Sequence, residues 1–172
     1  MVRLLETRSF SVKTQSSDET KELGRLIGTH LKGGEVILLE GPLGAGKTTM
    51  VQGIASGLGI DKPVNSPSFV LEKIYEGRCN LYHFDFYRLD EREIEESGLL
   101  FDLDPEAVVV IEWADRLSSG MHDVTLRIRM DFVGVPLSAA TMAVTDARSI
   151  DISTEDEFWA DVIEKLSERG SK

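Results

Sequence analysis

The octapeptide Gly41-Pro42-Leu43-Gly44-Ala45-Gly46-Lys47-Thr48 constrains this chain more than any other stretch, because it joins the apolar run Val36-Ile37-Leu38-Leu39 to a helical pattern. It fits Gly-x4-Gly-Lys-[Ser/Thr], the loop in which backbone N–H groups wrap phosphates, the lysine reaches the β/γ-phosphates and the hydroxyl binds Mg2+. Its glycines let the backbone come close to a ligand where a Cβ would intrude. The helix that follows turns the positive end of its dipole toward the anion. A solvated lysine at a helix start, with the glycines serving only as a turn, is the alternative, and the strand before and helix after weigh against it.

The rest of the pattern supplies a frame for that loop. Residues 3–12 read as an irregular strand. Ser16-Ser17-Asp18 is a helix-start cluster, and Thr20, Leu23, Leu26, Ile27 and Leu31 recur at helical spacing as far as Gly33-Gly34, which predicts an amphipathic helix over 18–32. A strand over 35–40, the loop, and a helix over 47–58 closed by Gly57 and Gly59 come next. Two prolines and Asn65 make 61–67 a loop. The stretches 69–75 and 80–86 are rich in β-branched and aromatic residues and meet around Glu76-Gly77-Arg78, as a hairpin would. A short acidic helix over 91–96 stops at Ser97-Gly98. Five successive apolar residues at 107–111 predict a strand covered on both faces. Val124, Leu126, Ile128 and Met130 alternate with Thr125, Arg127 and Arg129, which predicts a strand with one wet face over 124–132. A further strand or two lie within 139–152, and a helix over 154–168 carries Phe158, Val162, Ile163 and Leu166 on one side. The fold class expected is α/β, a single domain of the P-loop NTPase kind over 1–172. Its mixed sheet should be parallel at the centre and antiparallel at the edges, with helices on both faces and the last helix, about 153–168, as an appendage.

Charge narrows the partners. Thirty acidic residues against 19 basic ones leave a net charge of −11, so long-range attraction to nucleic acid or an anionic membrane is not built in. Cys79 is the single cysteine, which excludes an intrachain disulfide and leaves it without a partner at metal-site spacing. Arg3, Glu6 and Arg8 interrupt the N-terminus where a signal peptide would need an apolar core, and no run approaches the ~20 apolar residues of a membrane span. These features imply a cytoplasmic protein.

Hydrolysis of a bound nucleotide needs carboxylates to hold Mg2+ and position water, and two present themselves. Glu112 follows the run Val108-Val109-Val110-Ile111, so it should emerge at a strand's carboxyl end, where open α/β sheets bind ligands; the polar end of a core strand is its plain structural reading. Asp85 lies in His83-Phe84-Asp85-Phe86-Tyr87-Arg88, where period-two geometry sets His83, Asp85 and Tyr87 on one face and Tyr82, Phe84 and Phe86 on the other. The first face is either solvated or a shell around a metal-bound phosphate. Asp131-Phe132-Val133-Gly134 matches the Asp-x-x-Gly of GTPases by letter, but no Asn-Lys-x-Asp follows to read guanine. His30 and His122 read as surface or capping residues, and the acidic run 90–96 as a solvated helix face or a docking surface for a basic partner.

Taken together, the loop at 41–48, Ser66-Pro67-Ser68-Phe69, His83-x-Asp85-x-Tyr87-Arg88 and Ile111-Glu112-Trp113 resemble, in order and approximate spacing, the TsaE (YjeE) family over about residues 17–132. Those are small bacterial P-loop ATPases needed to make threonylcarbamoyladenosine at position 37 of tRNAs. Two departures stand out: Ser68, where threonine is usual, keeps the hydroxyl, and Pro42 replaces a frequent aspartate. The resemblance implies that Lys47 and the backbone from Gly44 through Ala45, Gly46 and Thr48 to Thr49, with Gly41 and Leu43, bind the phosphates of ATP. Thr48 would ligate Mg2+, and Asp85 and Glu112 would be the metal and water-positioning carboxylates, in an order left open. Ser66 and Ser68 would lie in a switch-like loop, and Trp113 would wall the nucleotide or partner site. The implied partners are the tRNA threonylcarbamoyltransferase catalytic subunit and its paralogous partner subunit, on which this chain would dock, monomeric when free, and which it would reset between turnovers. The partners, rather than this acidic chain, would grip the tRNA. No arginine finger is evident; Arg88 is the nearest candidate, so turnover alone should be slow.

Two further readings stand beside the partner-dependent ATPase. A small-molecule kinase would use the same loop but needs an acceptor pocket and usually an arginine-rich lid, for which only Arg88 and Arg92 are placed. A nucleotide-gated binding module without turnover would not need Lys47, Thr48 and two carboxylates together.

Overall fold

The computed structural model describes residues 6–117, 121, 123–134 and 146–169. The chain runs through β1 (Arg8–Thr14), α1 (Ser17–His30), β2 (Val36–Glu40), α2 (Lys47–Gly57), β3 (Glu72–Tyr75), β4 (Leu81–Asp85), α3 (Glu91–Ser97), β5 (Val108–Glu112), a single 3-10 turn (Ala114–Arg116), β6 (Leu126–Phe132), β7 (Arg148–Thr154) and α4 (Glu157–Arg169). The seven strands lie in the order β1-β7-β6-β2-β5-β4-β3. β6, β2, β5 and β4 pair in parallel, while β3 and the β7–β1 edge are antiparallel, which is the mixed sheet the sequence implies.

Local chemistry sets the element ends. Ser16 caps α1 by accepting the Glu19 N–H at 3.1 Å, and the Glu19 carboxylate returns to the Gln15 N–H at 2.7 Å. Asp90 and Glu93 form a reciprocal capping box on α3, which Gly98 ends in the left-handed conformation. β2 and β5 are apolar up to their terminal glutamates because both their faces are covered. One face packs on α1, α2 and α4, with Ile27, Ile54, Leu39, Val110, Ile128 and Ile163 in its core. The other carries a smaller cluster in which Phe84, Phe86 and Ile111 meet Ile94 of α3.

α1 and α2 meet backbone to backbone. A Cβ added to Gly28 would stand 2.3 Å from the Ile54 carbonyl oxygen, and one on Gly53 or Gly57 would stand 2.1 or 2.3 Å from the carbonyl oxygens of Lys21 and Arg25. This seam fixes the helix that begins with Lys47 against its neighbour along most of its length.

Several boundaries differ from the sequence reading. β3 begins at Glu72 rather than 69, because the N–H groups of Val70 and Leu71 both turn back to the Pro67 carbonyl, at 2.8 and 2.6 Å, and Leu71 takes φ 68°. Phe69 and Val70 are left exposed. The last helix starts at Glu157 because Thr154 belongs to β7, where its hydroxyl bonds the Thr125 carbonyl at 2.8 Å, while Asp156 caps α4 through the Trp159 N–H at 3.0 Å. Trp159 rather than Phe158 faces the core with Val162, Ile163 and Leu166, and Phe158 stays half exposed under the Lys32 ammonium. β1 runs on to Thr14, and its expected beginning at residues 3–5, the 139–145 part of the strand region expected over 139–152 and His122 lie outside the described residues. Among the described residues no helix is long and apolar enough to cross a membrane.

Candidate functional site

The parallel centre delivers three strand ends to one rim of the sheet: Glu40 from β2, Glu112 from β5 and Asp85 from β4, the last two directly paired across their strands. The loop 41–46 leaves β2 at this rim. Gly41 has φ +135° and passes so close to β6 that a Cβ would lie 2.1 Å from the Met130 carbonyl oxygen. Gly46, at φ +95°, turns the chain into α2 as its N-cap. No side chain caps that helix, so its first N–H groups face the loop's hollow.

Lys47 and Thr48 open α2 toward the carboxylates. The Lys47 ammonium donates to the carbonyls of Gly41 (2.7 Å) and Pro42 (2.8 Å) and lies 3.8 Å from the centre of the Trp113 ring. Burial pushes this lysine below the ordinary lysine range, and the nearby Glu112, Asp115 and Asp85 carboxylates oppose that shift. The Thr48 hydroxyl sits 2.8 and 3.0 Å from the two oxygens of Glu112. Behind Glu112, the fully buried His83 meets the same carboxylate through Nε2 at 2.8 Å. Asp85 does not bond Thr48. It gathers the hydroxyls of Ser66 and of Ser68 (2.6 Å) on one oxygen and the Tyr87 N–H (2.9 Å) on the other, which anchors the 66–68 segment to the rim.

His83 and Asp85 lie on the face that α2 covers, and Phe84 and Phe86 on the opposite one, so the period-two reading holds. The solvated-face alternative does not, since His83 and Asp85 are 0% and 2% exposed. Trp113 adopts φ 62°, a conformation costly for a bulky side chain, and its ring packs on Tyr87 at 4.9 Å. Ala45 is buried, Thr49 half buried and Leu43 exposed. Arg88 stacks on Phe69, with its guanidinium 4.3 Å from the ring centre, and Arg92 is tied to Glu96 on the surface of α3.

Sequence reasoning missed two contributors. Arg148 of β7 donates to the carbonyls of Gly44 and Ala45, each at 3.1 Å, steadying the loop from behind. It is about a hundred residues away, and no local pattern pointed to it. Glu40 read only as a strand end, but it is 5% exposed and held by Arg127 and, at 3.1 Å, Arg129. The wet face predicted for β6 is therefore partly an ion pair with its neighbour.

Among the described residues no three His, Cys, Asp or Glu side chains converge to hold a metal unaided. A hydroxyl beside carboxylates is nevertheless an all-oxygen set suited to a hard cation that completes its shell from phosphates and water, as Mg2+ does.

Comparison with known proteins places the chain in a family. The family described as "Threonylcarbamoyl adenosine biosynthesis protein TsaE" matches residues 14–134. A protein of Nostoc sp. named tRNA threonylcarbamoyladenosine biosynthesis protein TsaE is 47% identical over 106 residues, a match covering 58% of this chain and 65% of that protein. One of the same name from Treponema pallidum is 39% identical over 118 residues, covering 68% and 87%. The crystal structure of Bacillus subtilis YdiB superposes with a TM-score of 0.68 at 29% identity, over 95% of this chain and 97% of that one.

Proposed function

This chain belongs to the TsaE family, with that family's role in tRNA threonylcarbamoyladenosine biosynthesis, and we propose on that premise that it is a Mg2+-dependent ATPase. It serves formation of N6-threonylcarbamoyladenosine at tRNA position 37 by docking on the threonylcarbamoyltransferase subunit and its paralogous partner and resetting them between turnovers. The observation that carries the reading is the Thr48 hydroxyl seated on Glu112 at the loop's mouth, beside a second buried carboxylate, with neither acid hydrogen-bonded to an arginine or lysine among the described residues.

In this reading the loop N–H groups and the start of α2 bind the triphosphate, and Lys47 exchanges its two carbonyl partners for phosphate oxygens. Thr48 and Glu112 would hold Mg2+, which when bound neutralises charge on the β- and γ-phosphates. The contact with Thr48 favours Glu112 for the metal side. Asp85, tied to Ser66 and Ser68, then links the terminal phosphate to the segment that presents Phe69 and Val70 to solvent. Trp113 closes the lysine side of the cleft. Leu43, Phe69 and Val70, exposed around this rim, suit a partner that docks where nucleotide state is sensed. The net charge of −11 supports leaving the tRNA to those partners.

The test is a reconstituted tRNA modification followed over several turnovers with and without this chain, alongside ATP hydrolysis with and without the transferase subunits. Sustained turnover only when the chain and ATP are present is expected; equal multiple turnover in its absence would remove the resetting role, and no hydrolysis under any condition would remove the ATPase.

A further inference from the structure

His83 is fully buried in β4, yet only half of its hydrogen-bonding capacity is used. Nε2 meets Glu112 Oε1 at 2.8 Å, whereas Nδ1 is the one buried side-chain polar atom without a hydrogen-bond partner among the described residues. A carboxylate can only accept, so Nε2 carries the proton in this bond, while Nδ1 has nothing to bond to whatever it carries. A histidine kept for packing is a poor choice here: an apolar side chain of similar size would fill the strand position beneath α2 without an unpaired buried nitrogen. The imidazole therefore contributes through Nε2 alone.

The other hold on Glu112 is of a different kind. Thr48 belongs to the nucleotide loop, and its hydroxyl has a single proton spread over both carboxylate oxygens, at 2.8 and 3.0 Å. That contact is the one a ligand in the loop disturbs. His83 approaches from within β4, and because β4 and β5 are paired in register, His83↔Val110 and Asp85↔Glu112, its distance to Glu112 is set by the sheet rather than by the loop.

We propose that His83 is a positioning residue, resting on the ATPase reading above: its Nε2–H fixes the Glu112 carboxylate so that the acid keeps its aim when the loop fills and the Thr48 hydroxyl is engaged elsewhere. The prediction separates the two ring nitrogens. In His83→Gln the side-chain amide N–H reaches about as far as Nε2, whereas in His83→Asn it reaches only as far as Nδ1 and cannot touch Glu112.

The experiment compares wild type, His83→Gln and His83→Asn by single-turnover ATP hydrolysis in the presence of the transferase subunits, by affinity for ADP without Mg2+, and by thermal unfolding to establish that each is folded. The expected result is rescue by one amide only: Gln within a few-fold of wild type, and Asn slower by roughly ten- to a hundredfold, the range for a lost hydrogen bond to a charged group, with all three binding the nucleotide alike. Asn as fast as wild type, or slowed only in proportion to weakened nucleotide affinity, overturns the proposal. Nitrogen-detected NMR of the His83 ring in the free protein supplies a readout independent of turnover. A proton on Nε2, perturbed in Glu112→Ala, is expected, and a ring with no proton on Nε2 overturns the proposal. If wild type hydrolyses nothing, the ATPase reading falls, and the ring signal alone decides whether His83 holds Glu112.

Discussion

Glu40, Glu112 and Asp85 end adjacent parallel strands and are equally buried, at 5%, 2% and 2% exposure, but they are satisfied in opposite ways. Glu40 faces the side of the sheet away from α2 and is held by two guanidinium groups, Arg127 and Arg129. Glu112 and Asp85 face α2 and receive hydroxyls, a backbone N–H and an imidazole, none of which carries a fixed positive charge. Removing an ion from water is expensive, and a carboxylate that has recruited arginines is finished as a structural element. A pair with no arginine or lysine partner among the described residues, beside a loop of the phosphate-binding pattern, retains the negative charge that the proposed cation would need. The contrast separates a strut from a site more sharply than burial does.

The largest expected effect tests Lys47, the buried lysine near that acidic pair. Lys47→Ala should weaken ATP binding on the order of a thousandfold, as for truncating one partner of a buried charge pair, read as quenching of Trp113, whose ring the ammonium touches; unchanged affinity would mean the lysine belongs to the loop alone. Glu112→Gln keeps shape but removes charge, and should slow hydrolysis about a hundredfold or more while abolishing its response to Mg2+. A variant that hydrolyses with normal Mg2+ dependence would put Glu112 in the same class as Glu40.

Acidity offers a third cut. Burial has lowered the Lys47 pKa in the free protein, and bound phosphates favour the ammonium, so binding takes up a proton wherever the free lysine has lost it. Affinity should be constant below the free-protein pKa and fall, by up to about tenfold per pH unit, as pH rises through it, starting at a lower pH than an ordinary lysine would give. Lys47→Arg should flatten that fall, and a profile identical in both proteins would assign the titration elsewhere. Smaller again, Arg148→Ala frees the Gly44 and Ala45 carbonyls and should weaken nucleotide affinity about tenfold or less. Least of all, Glu40→Gln should cost about 1 kcal/mol of unfolding free energy, since both arginines are partly in water. It should leave Mg2+ dependence untouched, and a change there would erase the distinction between the two kinds of carboxylate.

Much of this arrangement is legible in the chain because local chemistry dictates it. The apolar β2 and β5 runs, the glycines that end α2 and the alternation through β4 each specify an element, and the Gly-x4-Gly-Lys-Thr pattern specifies the loop. What sequence reading could not supply are partnerships across the sheet. Arg127 and Arg129 alternate as solvent-facing residues do, and only the parallel pairing of β6 with β2 brings them to Glu40. Asp85 was readable as a candidate, but its grip on Ser66 and Ser68 depends on the turn at Pro67. That turn also explains the shortened β3: Phe69 and Val70 have strand composition and serve instead on an exposed bend.

The glycine seam between α1 and α2 bears on how any nucleotide signal can travel. Helices separated by side chains slide by exchanging rotamers, but two that touch through their main chains have nothing to exchange. The lysine and threonine proposed to meet the phosphates are thus mounted on an anvil, which leaves the serine-anchored bend that carries Phe69, on the opposite jaw, as the place to look for any response to nucleotide. If the proposed docking is right, a rigid cradle facing one exposed bend confines the signal to a small patch of the rim.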